Sequence, residues 1–444
     1  MSASRYAGKK AAVLGAGLSG SAAALLLREE GAEVTVLDSA EEKRLLKSTL
    51  DDLRVRGVRI VAGSAAENDP SDYDLIVISP GIDPVSPLAS HFAAKKAAVI
   101  GELELGWRSC DLPTIAITGT NGKTTTTELI AQMLNACGQR TIASGNIGKP
   151  LCEVARQRNQ FDVLTVEVSS FQLETVSQFK PGIAIWLNFA PDHLDRYASV
   201  KEYRAAKLRI FEHQTPDDVA VVNAAERFPR LRARTVTFSA YSDRADFHLA
   251  EGAIRYDGET VLRIGAAKLR GSHNIENMMA ALAAGQARGL SFAQMVPPLC
   301  AYQPRPHRCE FIRELSGVSY INDSKATNLD AVEKALLAQD HPVVLIAGGK
   351  DKGFSFEPLR DLVGKRVRSV VLIGEMAERI CRDWAETVRC EIAESLADAV
   401  DRSHAIAKPG DVVLFSPGTS SFDMFKSYAD RGDQFRALVQ ALPK

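Results

Sequence analysis

The run Ile117-Thr118-Gly119-Thr120-Asn121-Gly122-Lys123-Thr124-Thr125 constrains this chain more than any other stretch. An apolar strand, Thr114 to Ile117, leads into it, and a helix, Lys123 to Cys137, leads out. Gly119 and Gly122 allow a turn tight enough for several N–H groups to point at one anion. The helix N-terminus adds partial positive charge at the same place. Lys123 supplies a full charge, and the Thr124 hydroxyl can hold a magnesium ion. Strand, turn, Lys, Thr and helix arrive together, as a phosphate cradle requires. Only Thr120 and Asn121 separate the glycines, a shorter spacing than the four residues of a Walker A loop.

A chain of 444 residues is too long for one core, and about three domains are expected. The net charge of −1 gives no global bias toward nucleic acid or an anionic membrane, so any binding of anions must come from local sites. No apolar run approaches the roughly 20 residues that span a bilayer, and Met1 to Lys10 lacks a signal-peptide core. No nucleic-acid partner and no membrane insertion are expected, and a cytoplasmic location is. The seven cysteines form no CxxC pair and read as reduced, buried thiols.

The first segment runs to residue 103. Ala11 to Leu14 reads as a buried strand entering Gly15-Ala16-Gly17-Leu18-Ser19-Gly20, followed by a helix, Ser21 to Glu30. Val34 to Leu37 forms the next strand and ends at Asp38, placed to touch a ribose hydroxyl. Leu75 to Ser79 ends in Pro80-Gly81, at the strand edge where open α/β sheets bind ligands. A lone GxGxxG leaves three readings open: NAD(P), another nucleotide, or a structural turn.

The second segment, 104–304, holds the cradle. A strand around Arg140 to Ala143 runs into Ser144-Gly145-Asn146. Phe161 to Val166 is apolar and then abruptly carries Glu167. A buried strand's acid must be paired or bind metal. Ile183 to Leu187 leads to Asn188 and then Asp192-His193-Leu194-Asp195. Glu167 and His193 thus stand at strand C-termini, as the cradle does, and point to magnesium ligation and phosphate handling. Helix Val200 to Phe211, with Lys201, Lys207 and Arg209, reads by default as a solvated basic face. Phe247 to Lys268 reads as a small antiparallel appendage. Asn274 and Asn277, at the start of helix Ile275 to Ala287, either hydrogen-bond an adenine edge or include an N-cap.

The third segment, 305–444, follows a hinge bracketed by Pro304 and Pro306. Strands Val318 to Ile321, Val343 to Ile346, Ser369 to Ile373 and Val412 to Phe415 alternate with helices, implying a second doubly wound sheet. The strand ends carry Asp323, Lys325, Thr327, Lys352 and Ser421, a largely cationic rim suited to a small acidic substrate. The fold class is therefore α/β with three domains: a Rossmann-like N-terminal domain, a central mononucleotide-binding domain with an antiparallel appendage, and a Rossmann-like C-terminal domain.

Gly119-Thr120-Asn121-Gly122-Lys123-Thr124, Glu167-Val168-Ser169-Ser170-Phe171-Gln172-Leu173, Asn188 with Asp192-His193-Leu194-Asp195, His273-Asn274 with Asn277, Pro306-His307-Arg308 and Asn322 to Asn328 together resemble the Mur ligase family of ATP-dependent amide-bond ligases, in the right order over nearly the whole chain. The Ser-Phe-Asp-Met-Phe run from Ser421, with the Glu167 and Asp323 motifs, resembles the glutamate-adding branch. The resemblance implies ATP, UDP-N-acetylmuramoyl-L-alanine and D-glutamate as small-molecule substrates, two magnesium sites and no NAD. A monomer is expected. Leu18, Ser19, Asp38, Ser39 and Gly81 would surround the UDP moiety, with Asn146 and His193 nearer the reacting end. Gly119, Thr120, Asn121, Gly122, Lys123, Thr124, Thr125, Asn274, Asn277, Arg308 and Asp323 would bind ATP. Thr124 and Glu167 would hold one magnesium, and His193 a second. Lys325, Thr327, Lys352, Ser421, Phe422 and Tyr428 would hold glutamate.

Two departures from the family pattern stand out: Phe422 replaces a Leu and Tyr428 a Phe. Lys350, in the Gly348 to Gly353 loop with Lys352, leaves the choice between the two open. Lys207 matches a lysine the family carbamylates, giving a catalytic set of Lys123, Glu167, His193 and Lys207. The route implied is an acyl phosphate followed by amine attack, with the third domain closing on the second about Pro304 to Arg308.

Overall fold

Apolar runs without a polar face need helices on both sides, and this makes most strands of the chain parallel. A computed structural model describes residues 5–443 except Asp195, Arg270 and Phe354; Asp195 of the His193 motif therefore lies outside the described residues. The first sheet comprises β1 (Lys10–Leu14), β2 (Glu33–Asp38), β3 (Arg59–Ala62), β4 (Leu75–Ile78) and β5 (Ala98–Gly101), all parallel, in the order β3-β2-β1-β4-β5. The Gly-rich turn follows β1, from which the order runs outward both ways. That is the switch point where such sheets open a crevice.

The second sheet contains β6 (Thr114–Thr118), β7 (Ala143–Gly145), β8 (Leu164–Glu167), β9 (Ile183–Trp186), β10 (Val219–Asn223), β11 (Arg234–Ser239), β12 (Phe247–Ala250), β13 (Ala253–Tyr256) and β14 (Glu259–Arg263). Their order is β14-β13-β12-β11-β10-β9-β6-β8-β7. The expected antiparallel appendage is not separate: β12 pairs parallel with β11, and β13 and β14 extend the same sheet antiparallel. The third sheet contains β15 (Glu310–Leu315), β16 (Val318–Asn322), β17 (Val343–Gly348), β18 (Val367–Ile373), β19 (Arg389–Ile392) and β20 (Val412–Phe415), ordered β15-β16-β20-β17-β18-β19 with only β15 antiparallel.

The chain gathers into two compact units. One contains Met1–Phe189, Tyr203–Arg263 and Glu276–Leu299, and so the first two sheets; the other contains Ala190–Glu202, Ile264–Ile275 and Cys300–Lys444, with the third sheet. Within the first unit, Leu26, Leu27 and Val34 share one apolar core with Leu103, Leu151, Val154 and Val166. Helix Glu102–Arg108 runs through the expected break at residue 103 and carries two buried acids. Glu104 is fully buried and accepts N–H groups from Ser177, Gln178 and Phe179, while Arg108 bonds its carboxylate at 2.6 Å. Glu102 accepts the Cys152 N–H at 2.6 Å, while its other oxygen is buried without a hydrogen-bond partner. Burial pushes the Glu102 pKa up to about 7.

Several boundaries differ from expectation. The first helix starts at Leu18, not Ser21, so Leu18 and Ser19 stand in its first turn. The strand expected over 140–143 is Ala143–Gly145, because Arg140 is tied to Asp162 through its N–H and guanidinium before the strand begins. Asn274 lies inside helix Ser272–Ala287 and is not its cap. Of the seven cysteines, only Cys110 and Cys152 are buried; all are free thiols.

A carboxyl whose folded pKa exceeds its unfolded value contributes stability that is complete below the unfolded pKa and lost as pH rises through the folded one. For Glu102 that window runs from 4.5 to about 7. The stability of Glu102→Gln relative to wild type is therefore expected to rise across it by on the order of 3 kcal/mol, read by urea unfolding at each pH. Asp323, also raised, titrates in both proteins and cancels. A difference independent of pH would show Glu102 to titrate normally.

Candidate active site

Three parallel strand ends build the phosphate cradle. β6 lies between β8 and β9, and Glu167 is the register partner of Ile117. Gly119 and Gly122 have φ of 151° and 81°, which a side chain would strain. A Cβ on Gly122 would also stand 2.4 Å from Asn277 Oδ1. Asn188, just past β9, fixes the loop from the side. Its carbonyl accepts the Thr120 N–H at 3.0 Å, its Oδ1 accepts the Asn121 N–H at 2.9 Å, and its Nδ2 donates to the Asn121 carbonyl at 3.0 Å. Thr126 Oγ1 donates to Asn277 Oδ1 at 3.2 Å, tying helix Lys123–Ala136 to Asn277. Thr124 and Thr125 are buried at the start of that helix. Lys123 Nζ folds back onto the Gly119 and Thr120 carbonyls at 2.9 and 2.8 Å.

Glu167 is 2 % exposed. Its Oε1 accepts from Asn146 Nδ2 at 2.7 Å, and its Oε2 is buried with no hydrogen-bond partner. A buried carboxylate oxygen in that state is costly unless a cation meets it or, as burial favours at Glu102, a proton neutralises the group. Among the described residues no group of three or more His, Cys, Asp or Glu side chains could cage a metal. One carboxylate beside a buried threonine and a phosphate loop fits magnesium, which takes one or two carboxylates plus phosphate oxygens, and does not fit an all-protein cage.

Lys207 departs from the solvated face expected for its helix. It is 1 % exposed, donates to the Gly119 carbonyl at 2.8 Å, and stands 4.7 Å from the centre of the Tyr203 ring. Lys201 is exposed, as expected. Tyr203 Oη and Thr120 Oγ1 are 3.4 Å apart. Lys123 and Lys207 thus converge on one carbonyl oxygen, within about 6 Å of each other.

In the first sheet, Asp38 does not reach outward as the ribose reading expects. Its two oxygens accept the Ala16 and Ala40 N–H groups, both at 2.8 Å, so the acid shapes the Gly-rich turn. Leu18, Ser39 and Gly81 are exposed around it, and Ser19 is half-buried. Gly20 is required by packing, since a Cβ there would meet the Gly15 carbonyl at 1.9 Å.

The second unit holds His193, Asn274, Arg308, Asp323, Lys325, Thr327, Lys352, Ser421, Phe422 and Tyr428. His193 adopts φ 56°, and its N–H bonds Asp192 Oδ1 at 2.8 Å. Lys352 Nζ meets the same Asp192 oxygen at 2.7 Å and the Thr327 carbonyl at 3.2 Å; Asn328 Nδ2 donates to Asp192 Oδ2 at 3.2 Å. Burial, the largest influence on Asp192, works to raise its pKa, but Lys352 and His193 hold it below the usual value. Lys350 is exposed, whereas the Lys352 side chain is 12 % exposed. Lys325 Nζ sits 3.9 Å from the Tyr428 ring centre. Asp323 is buried, accepting Cys309 N–H at 3.1 Å and Ser416 Oγ at 3.0 Å, and burial pushes its pKa to about 7. Ser421 is buried, while Phe422 is 68 % exposed.

Sequence reasoning gave no role to Asn188, Asp192 or Arg431. Arg431 is fully buried; it bonds Ser324 Oγ at 3.1 Å and the carbonyls of Ser324, Thr419 and Ser420 at 2.9, 3.2 and 3.3 Å, bracing the two loops that carry Lys325 and Ser421. Burial lowers its pKa to about 10. The neighbouring charges Asp430, Asp433 and Arg436 gave it the look of a surface residue.

Three family models match in succession: Mur ligase MurD-like, N-terminal domain, over 9–101; Mur ligase middle domain over 117–285; and Mur ligase, glutamate ligase domain, over 307–419. A UDP-N-acetylmuramoylalanine–D-glutamate ligase of Geotalea daltonii is 44% identical over 445 residues, covering 98% of each chain. The enzyme of the same name from Geobacter metallireducens is 44% identical over 446 residues at the same coverage. Among solved structures, the UDP-N-acetylmuramate-alanine ligase of Thermotoga maritima superposes with a TM-score of 0.61 at 19% identity, covering 98% of this chain and 99% of its own. A MurF ligase from the same organism, in complex with ADP, gives 0.61 at 17% identity, covering 92% and 95%. At such identities the structural likeness is one of fold.

Proposed function

The chain belongs to the Mur ligase family, and on that premise we propose that it joins the alanyl carboxylate of UDP-N-acetylmuramoyl-L-alanine to the amine of D-glutamate, at the expense of ATP. The observation that carries this reading is the clamped cradle of Gly119 to Thr124 beside Glu167, whose buried Oε2 awaits a cation. Lys123 exchanges its carbonyl partners for the β- and γ-phosphates. The alanyl carboxylate attacks the γ-phosphoryl group in line, forming an acyl phosphate and releasing ADP. The glutamate amine then attacks the acyl carbon, and the tetrahedral species expels phosphate. Thr124 and Glu167 would hold one magnesium ion and His193 would contribute to a second; the metal supplies neutralisation of the phosphate charge.

Asn274, Asn277, Arg308 and Asp323 serve ATP on this reading. Leu18, Ser19, Asp38, Ser39 and Gly81 serve the UDP moiety, Asp38 through the turn it shapes. Asn146 orients Glu167 and the sugar-bearing substrate. Lys325, Thr327, Lys352, Ser421, Phe422 and Tyr428 receive glutamate, and Lys352 is favoured over Lys350 by its half-buried place on Asp192. The burial of Lys207 at the phosphate loop supports carbamylation: the ammonium loses a proton, carbon dioxide adds to the neutral amine with loss of a second proton, and a cation becomes an anion able to face metal. The working unit is read as a monomer with three domains, 1–103, 104–304 and 305–444.

Phosphate release with ATP and UDP-N-acetylmuramoyl-L-alanine is expected with D-glutamate and not with L-glutamate or other amino acids. Equal release with L-glutamate would overturn the substrate assignment. In the same assay Lys207→Ala is expected to be inactive and partly rescued by short carboxylates; failure of rescue would remove the carbamate.

A further inference from the structure

The loop between β10 and β11, with the first residue of β11, reads Glu226-Arg227-Phe228-Pro229-Arg230-Leu231-Arg232-Ala233-Arg234. Arg227, Arg230, Arg232 and Arg234 are exposed, while Leu231 is half-buried and Ala233 buried. Exposure alternates along the last five residues, so the apolar side chains anchor the loop and the cations face outward. Phe228 and Leu231 pack against the first unit's core. Phe228 also lies edge-on to Trp186, with the Arg204 guanidinium 5.8 Å from its ring centre. Arg204 further donates to the Arg227 carbonyl. The loop is thus held in place by its apolar residues and backbone.

Arginines elsewhere in the chain are commonly ion-paired, as Arg54 is with Glu42, Arg140 with Asp162, Arg368 with Asp411 and Arg436 with Glu310. Among the described residues no ion pair or hydrogen bond engages the side chains of Arg227, Arg230, Arg232 or Arg234. The one acid in the stretch, Glu226, accepts the Phe189 N–H at 2.8 Å and is 18 % exposed. A chain of net charge −1 therefore concentrates four uncompensated cations on one anchored loop.

We propose that this loop docks the protein, peripherally and reversibly, on an anionic lipid surface. The patch itself separates the classes of anionic partner. Single-stranded nucleic acid is held by aromatic platforms as well as charge, and the only aromatic ring here, Phe228, is turned into the core. A stable protein interface has a buried apolar or aromatic centre, yet among the described residues no large hydrophobic is exposed between Val200 and Tyr241. An anionic bilayer surface asks only for cations within a Debye length. The docking does not depend on the reaction assigned above, since none of the four arginines has a part in it.

The test is co-sedimentation of the full chain with vesicles of phosphatidylglycerol in phosphatidylcholine, against phosphatidylcholine alone. At about 1 kcal/mol per arginine, replacing all four by serine is expected to weaken binding to the anionic vesicles by several hundred-fold at low salt. Replacing all four by lysine is expected to retain most of it, and high salt to abolish it. Ligase turnover of the serine variant in solution is expected to match wild type, showing the fold intact. Equal binding by wild type and serine variant would overturn the proposal. So would no wild-type binding at low salt, or tighter wild-type binding to a single-stranded oligonucleotide than to the anionic vesicles.

Discussion

The Asn188 side chain binds both the N–H and the carbonyl of Asn121 in the phosphate loop, and the shape of the loop depends on it. A Gly119-Thr120-Asn121-Gly122 turn with two left-handed glycines has many conformations open to it in isolation. The Asn188 carbonyl and amide remove that freedom by bonding Thr120 and Asn121, and they can do so because β9 runs parallel beside β6 and ends level with it. Asn277 closes on Gly122 from the other side, where no side chain would fit. The Thr120 and Asn121 N–H groups are taken up by Asn188, and what they fix is the loop's frame, the preorganisation that the proposed phosphate binding requires.

The other constraint is burial of charge. Lys207, Arg431, Glu102, Glu104, Asp192 and Asp323 are each almost withdrawn from solvent, where an unpaired charge is costly. They divide by what they touch. Glu104 and Arg431 meet several backbone groups and act as braces, one between helix Glu102–Arg108 and the backbone of 177–179, the other between two loops of the third sheet. Asp192 fixes Lys352 and His193 together. Glu167 and Lys207 instead flank the phosphate loop: Glu167, like Glu102, has one carboxylate oxygen without a hydrogen-bond partner, and Lys207 shares the Gly119 carbonyl with Lys123. The magnesium and phosphate proposed for this site would meet the Glu167 oxygen there.

Much of this was legible in the sequence, and the reason is local. β6, β8, β9 and β20 are continuous apolar runs ended by Gly, an acid, Asn or Ser, so their positions and the residues at their tips could be read directly. The long-range partners could not. Lys201 and Lys207 share one helix and look alike; only the Gly119 carbonyl and the Tyr203 ring distinguish them. Arg431 sits among charges that are exposed. Asp38 has the spacing of a ribose ligand, but its hydrogen bonds go to backbone two and twenty-two residues away. The antiparallel hairpin after β12 was legible as a hairpin but not as an extension of the sheet, because its pairing with β11 involves only the residues at the strand ends.

On the proposed mechanism the cradle's bound ATP activates a carboxylate by phosphorylating it. Isotope transfer tests this most directly: UDP-N-acetylmuramoyl-L-alanine labelled with oxygen-18 in its alanyl carboxylate is incubated with ATP and D-glutamate, and the released phosphate is weighed by mass spectrometry. Passage through an acyl phosphate is expected to leave one labelled oxygen in each phosphate formed. Phosphate carrying no label would mean that the carboxylate oxygen never bonded to phosphorus, and would contradict the account.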